Sequence, residues 1–149
     1  MAGVRELMRK YERLKQNIPS IAESSVGEVK GDFVEAQKYQ LEQGSTSTGG
    51  TFRKYRSSAY AKKKNQMNPL PGIGNPDLRL TGSFYRGISA TVQSGVLKVS
   101  SSDPKAKILA ANYDNNKIFG LNDEEMNDFV NGKVTPVFQK NIVDNLKQS

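Results

Sequence analysis

The sequence predicts an α+β fold in which a small antiparallel sheet is packed by a long or kinked N-terminal helix and by C-terminal helices, with a long extended loop between them. Three patterns predict it. Apolar residues recur at three and four through residues 3–43, they alternate at every second position between residues 86 and 101, and helix caps punctuate the remainder. At 149 residues the chain has room for one compact domain, residues 1–149.

From Val4 the positions Leu7, Met8, Tyr11, Leu14, Ile18 and Ile21 fall on one helix face, expected to pack on the sheet. Pro19 should interrupt or restart this helix. Val26, Val29, Phe33, Val34 and Ala36 continue the pattern, so residues 3–43 read as two consecutive helices or one kinked helix, weakened by Gly27 and Gly31. Residues 44–77 read as a long, mostly irregular basic loop or arm. It begins with the flexible Gly44-Ser45-Thr46-Ser47-Thr48-Gly49-Gly50 and ends with the turn-rich Asn68-Pro69-Leu70-Pro71-Gly72-Ile73-Gly74-Asn75-Pro76.

In residues 78–149 Ile88, Ala90 and Val92 alternate, Ser94-Gly95 reads as a turn, and Leu97 and Val99 alternate again, which is a hairpin. Asp103-Pro104 starts a short helix carrying Ile108, Leu109 and Ala111. A turn at Tyr113-Asp114-Asn115-Asn116 leads to a brief strand, Ile118-Phe119. Asn122 with Glu125 three residues on forms a capping-box pattern for a helix that Gly132 closes. Thr135-Pro136 opens the last helix, with Phe138, Ile142 and Leu146 as its inward stripe.

Hydrophobic residues make up 36% of the chain and charged residues 25%, lean for a core of this size, so part of the chain is expected to order only against a partner. The sequence holds neither Cys nor His, which excludes thiol and imidazole nucleophiles, disulfides and structural zinc sites. Carboxylate, Lys or Tyr catalysis has no anchoring motif, and the expectation is a protein that is not an enzyme. No metal or cofactor is expected either. Gly72-Ile73-Gly74 lacks the strand, third glycine and lysine of a nucleotide loop, and the run from Asp114 puts Lys117 and Ile118 where a calcium loop needs oxygens and a glycine. Residues 1–15 lack the apolar stretch of a secretory signal and no window reaches membrane-spanning length, so a cytoplasmic protein without a membrane partner is expected.

Net charge is +7, and its excess lies in the middle of the chain, where residues 51–100 carry nine cations against Asp77 alone. Arg53, Lys54, Tyr55, Arg56, Tyr60, Lys62, Lys63 and Lys64 interleave aromatics with cations, the candidate contact residues for a partner or DNA. Three readings fit the run: phosphate contact with base stacking, a solvated basic loop, and docking to an acidic protein surface.

Three runs carry a resemblance. The first is the aromatic, Tyr-Ala and Lys stretch of residues 52–63. The second is Leu78-Arg79-Leu80-Thr81-Gly82-Ser83-Phe84-Tyr85-Arg86-Gly87-Ile88, a Leu-Thr-Gly turn whose Gly82 permits a tight bend. The third is Ile118-Phe119-Gly120-Leu121-Asn122-Asp123-Glu124, a junction into the closing helix. Together, with Leu80, Thr81, Gly82, Phe84, Phe119 and Gly120 as the fold motif, they resemble the phage virion-morphogenesis, minor-tail or tail-completion (neck) proteins. The resemblance implies a virion structural protein, assembled in the bacterial host cytoplasm, that forms a homo-oligomeric ring. That ring would join portal or adaptor to the tail or tail tube, with DNA passing through the lumen and the segment 44–76 projecting to dock on a neighbour. The alternative is a nucleic-acid-binding accessory protein using the cations between residues 53 and 64.

Overall fold

The computed structural model describes residues 2–79 and 82–148. Among them the chain forms eight α-helical segments, one π-helical turn and a two-stranded antiparallel sheet, the α+β class that the sequence predicts.

Helix α1 spans Ala2–Glu28 and α2 spans Lys30–Glu42. The interruption expected at Pro19 is absent. The carbonyl that Pro19 leaves without a donor is that of Lys15, on an exposed turn open to solvent. The helix breaks instead at Val29, with φ −108° and ψ 13°, between Gly27 and Gly31, where the missing side chains weaken it. The inward face of α2 carries Phe33, Gln37, Gln40 and Leu41, at spacings that keep them on one side of the helix.

The hairpin is as predicted, with β1 at Ile88–Gln93 and β2 at Val96–Ser101. Its two-residue turn needs positive φ at both central positions, and Ser94 and Gly95 supply 52° and 77°. Ala90 pairs with Val99 and Val92 with Leu97, so one face is apolar, and α2 lies across it.

Between α2 and the hairpin, the long connection is not the extended arm that composition suggests. Residues Ser58–Met67 form helix α3, capped where the Ser57 hydroxyl accepts the Tyr60 N–H at 3.2 Å. The whole connection folds down onto the body, burying Thr46, Phe52, Ala61, Lys64, Pro76 and Asp77. A helical turn, α4 at Ser83–Arg86, precedes the strand.

After the hairpin, Asp103 accepts the Lys105 N–H at 2.8 Å and α5 spans Ala106–Tyr113. The brief strand at Ile118-Phe119 does not form. Ile118 ends a helical turn, α6 at Asn115–Ile118, and the residues after it find hydrogen bonds from side chains rather than from a strand. Helix α7, Asp123–Phe129, is capped by Asn122, whose side chain accepts the Glu125 N–H at 3.0 Å, but the reciprocal half of the capping box is absent because the Asn122 N–H goes to Gln40 Oε1. Gly132 does not close it. The helix widens into a π-turn at Val130–Val134 and continues as α8, Thr135–Gln148. The widening immediately precedes Pro136, whose ring cannot donate to the carbonyl of Gly132.

Two apolar clusters meet across α2 and β2. One joins Leu41, Phe52, Leu78, Phe84, Tyr85, Ile88 and Ile118. The other joins Val29, Phe33, Leu121 and Phe129, with the Phe33 and Phe129 rings edge to face at 5.2 Å. Between them, two buried glutamines of α2 take the place of a strand. Gln37 donates to Ile118 O at 2.9 Å and accepts from Gly120 N at 2.8 Å. Gln40 donates to Gly120 O at 2.8 Å and accepts from Asn122 N at 2.8 Å. Gly120 makes this possible with φ 106°, a backbone conformation that a side chain would strain.

Truncating either glutamine strands two backbone groups. Gln37→Ala is expected to lower the unfolding free energy by about 2–4 kcal/mol, and Gln40→Ala similarly, read from urea denaturation. Lys38→Ala, on a half-exposed face of the same helix, should change it by about 0.5 kcal/mol or less.

Candidate functional site

The eight residues singled out between 53 and 64 separate into two groups. Arg53, Lys54, Arg56, Lys62 and Lys63 are exposed, forming a cationic surface along the connection and α3. Tyr55 is half-buried and packs edge to face on Tyr60, ring centroids 5.0 Å apart, while Tyr60 itself stays 37% exposed beside the cations. Burial pushes the Tyr55 hydroxyl well above the ordinary tyrosine range, with the negative charge of Asp77 adding to it.

Lys64 is not a contact residue at all. Its ammonium lies 2.8 Å from the Asp77 carboxylate and donates to the Arg79 carbonyl, with Lys64 and Asp77 8% and 2% exposed. Asp77 also accepts from Asn68 Nδ2 at 3.1 Å and from Arg79 N at 3.0 Å, while its own carbonyl takes the Tyr85 hydroxyl at 2.5 Å. Burial alone would raise the Asp77 carboxyl. The hydrogen bonds from Lys64, Arg79 and Asn68 outweigh it and hold the group below the usual carboxylate value. Leu78, next along, sits at φ 59° with its side chain in the core, a conformation that costs about 1–2 kcal/mol and is locked by the Asp77 to Arg79 turn. The charged partner of Lys64 was visible in the sequence as the lone acid among nine cations, but nothing local ties residue 64 to residue 77.

Of the fold-motif residues, Leu80 and Thr81 lie outside the described residues. Gly82 has φ 87° and caps α4, which places Phe84 in the core 6.0 Å from the Phe119 ring. Gly120 is held by the two glutamines, so the two halves of the motif meet inside the protein rather than on its surface.

Two further surfaces stand open, neither of them among the contact residues that the sequence suggests. The first is the apolar stripe of α1, expected on the sheet. Asn141 of α8 donates to Ser25 Oγ at 3.0 Å, and Val134 and Val137 pack near Val29, so α8 runs antiparallel along the C-terminal half of α1. Ile21, Ser25 and Val29 are buried there. Helix α8 ends seven residues past Asn141, about level with Ile18, and the stripe beyond it is open. Val4, Leu7, Met8 and Tyr11 are 61%, 68%, 64% and 59% exposed. The second surface is a groove between α2 and α7, lined by Asp32, Glu35, Tyr39, Glu125, Asp128 and Phe129. Tyr39 is half-exposed in it. The Glu125 carboxyl is raised by burial and by the neighbouring charges of Asp128 and Glu124.

Among the described residues no three Cys, His, Asp or Glu side chains come together as a metal-holding group, and no helix is long and apolar enough to cross a membrane. What the surface offers is complementarity: an open apolar stripe, a patch of cations and an acidic groove.

Lys64→Met should cost about 3–5 kcal/mol, since it leaves Asp77 buried and unpaired, whereas Lys63→Met should stay within about 0.5 kcal/mol. Because the Asp77 carboxyl is lowered on folding, its contribution is complete above the ordinary aspartate value of about 4 and is lost as pH falls through the lowered one. The urea midpoint of the wild type should therefore drop in acid, and Asp77→Asn should remove that part of the drop. Comparison with protein-family models, with curated proteins and with solved structures yields no match for this chain.

Proposed function

We propose that this chain is a structural subunit of a tailed-phage particle that assembles into a ring in the neck or tail-completion region, between portal or adaptor and tail. It acts through shape and charge complementarity rather than catalysis. The observation that supports this reading best is the N-terminal half of α1. Four helical turns extend beyond α8 with Val4, Leu7, Met8 and Tyr11 in solvent. Helices of that length are marginal in water unless an apolar face is covered. Each of those side chains offers about 1.5–3 kcal/mol on burial, which is the means of an assembly subunit. The resemblance of residues 52–63, 78–88 and 118–124 to neck and tail-completion proteins points the same way.

On this reading the exposed Arg53, Lys54, Arg56, Lys62 and Lys63 face either duplex DNA in the lumen or a neighbouring virion protein. The deletion of residues 46–70 that would test a detachable arm would remove Phe52, Ala61 and Lys64 from the interior, so α1 is the better target.

Native mass measurement and electron microscopy of the purified chain should show closed rings whose lumen passes duplex DNA, in exchange with the 16.5 kDa monomer. The double variant Leu7→Asp, Tyr11→Asp should stay monomeric with an unchanged circular dichroism spectrum. A wild type that remains monomeric at every concentration sinks the reading. The same five exposed cations favour a second one, a nucleic-acid-binding accessory protein. In that case the free monomer binds duplex DNA with log K falling by about 4–5 per decade of salt, a dependence that the ring reading does not require of the monomer.

A further inference from the structure

Val4, Leu7, Tyr11, Leu14, Ile18 and Ile21 alternate at three and four, which is the spacing of a coiled-coil seam. Its C-terminal half is closed by α8, so the open half continues an interface that the fold already uses. The charged residues flanking the open half are Lys10 on one side and Lys15 on the other, and Lys15 lies over the Tyr11 ring at 5.7 Å. The outer face carries Arg5, Arg9 and Arg13 against Glu6 and Glu12.

Two copies of this helix laid seam to seam bring cation against cation in either direction, which disfavours self-pairing. The seam fits an apolar floor with acidic walls. The groove between α2 and α7 has that form: Tyr39 and Phe129 lie in it, Asp32 and Glu35 stand on one side, and Glu125 and Asp128 on the other. Its cation, Lys133, is already drawn to Asp32 at 3.9 Å.

A chain cannot fill its own groove. Arg5 lies about 36 Å from Val29 along a continuous helix, and the groove begins three residues beyond that break. We propose that the N-terminal four turns of α1 dock in the α2–α7 groove of a second copy of this chain. The contact is heterologous, head to tail, the kind that closes into a ring when the rotation per subunit permits. This rests on the ring reading and specifies the contact that builds it.

Charge reversal on full-length chains tests it by native mass measurement. Lys10→Glu with Lys15→Glu sets an acidic seam against an acidic groove, and Glu125→Lys with Asp128→Lys sets a basic seam against a basic groove. Each variant alone should associate about a hundredfold more weakly than wild type. Mixed in equal amounts they should assemble in alternation, because each seam then meets a groove of opposite charge. Since the chain has no cysteine, Leu7→Cys and Tyr39→Cys chains should in addition cross-link to each other under oxidation. Two results overturn the inference and leave the ring standing: a groove variant that assembles as well as wild type, or seam variants that lose only affinity for phosphatidylserine vesicles. A wild type that never assembles overturns both.

Discussion

The arrangement depends on two glutamine side chains. Residues 118–122 cross beneath α2 with Ile118 and Leu121 buried and the residues between and after them half-buried, and the two-stranded sheet has no strand to offer them. A buried peptide group without a partner costs about as much as a typical single mutation removes. Gln37 and Gln40 carry both a donor and an acceptor on an amide, one helical turn apart, and so meet the carbonyls and N–H groups of Ile118, Gly120 and Asn122 in sequence. A carboxylate could not donate and a lysine could not accept. The consequences spread outward. Fixing Asn122 fixes the cap of α7, the cap sets where Phe129 meets Phe33, and that contact sets the width of the groove between α2 and α7.

The second constraint pins the long connection. Segments rich in Gly, Ser, Pro and Lys ordinarily stay loose, because they bury too little to offset the entropy of ordering. Here a buried ion pair ties α3 to the turn before α4. Such a pair adds little net stability by itself, since both ions lose their hydration. It does specify one arrangement, because a Lys64 or Asp77 displaced from its partner would be left charged and dry. The dense satisfaction of Asp77, with Lys64, Asn68 and Arg79 on its carboxylate and Tyr85 on its carbonyl, is what lets Leu78 hold a left-handed backbone and reach the core. The basic segment is thus divided by chemistry: one lysine serves the fold and five cations stay on the surface.

What could be read from the sequence was local. The hairpin followed from alternation and from Ser94-Gly95, whose turn requires positive φ, and the cap of α7 from Asn122 and Glu125. Both signals act within a few residues. The misread places are those where a distant group decides. Ile118-Phe119 carries strand-like residues, yet glutamines about eighty positions earlier meet its backbone. Lys62, Lys63 and Lys64 look alike in a string, and only Asp77 in three dimensions tells the third apart. Helix α3 had a local signal, a Ser57 cap before good helix formers, but the cations of the same run drew the reading toward a loop. The seam of α1 was seen as periodic. That α8 stops short of its N-terminal half depends on where one helix ends against another, and the acids of the groove come from stretches about ninety residues apart.

On the ring reading, that partial cover of α1 is where folding would connect to assembly. One seam runs the length of the helix, and its two halves differ in what lies against them. The half beside α8 is ordered by the chain itself, with Asn141 setting the register by donating to Ser25 Oγ and to Glu28 Oε2. Polar groups inside such a seam fix alignment at some cost in stability, so α8 cannot slide toward the N-terminus to cover the rest. The other half keeps its helix through continuity with an anchored segment, which removes the nucleation penalty an isolated peptide would meet. It is therefore presented already helical, and a partner that covers it need not supply the ordering entropy of a disordered tail. The register bond fixes where the open half begins, which is why a buried serine and a half-buried asparagine, poor contributors to a core, are well placed here.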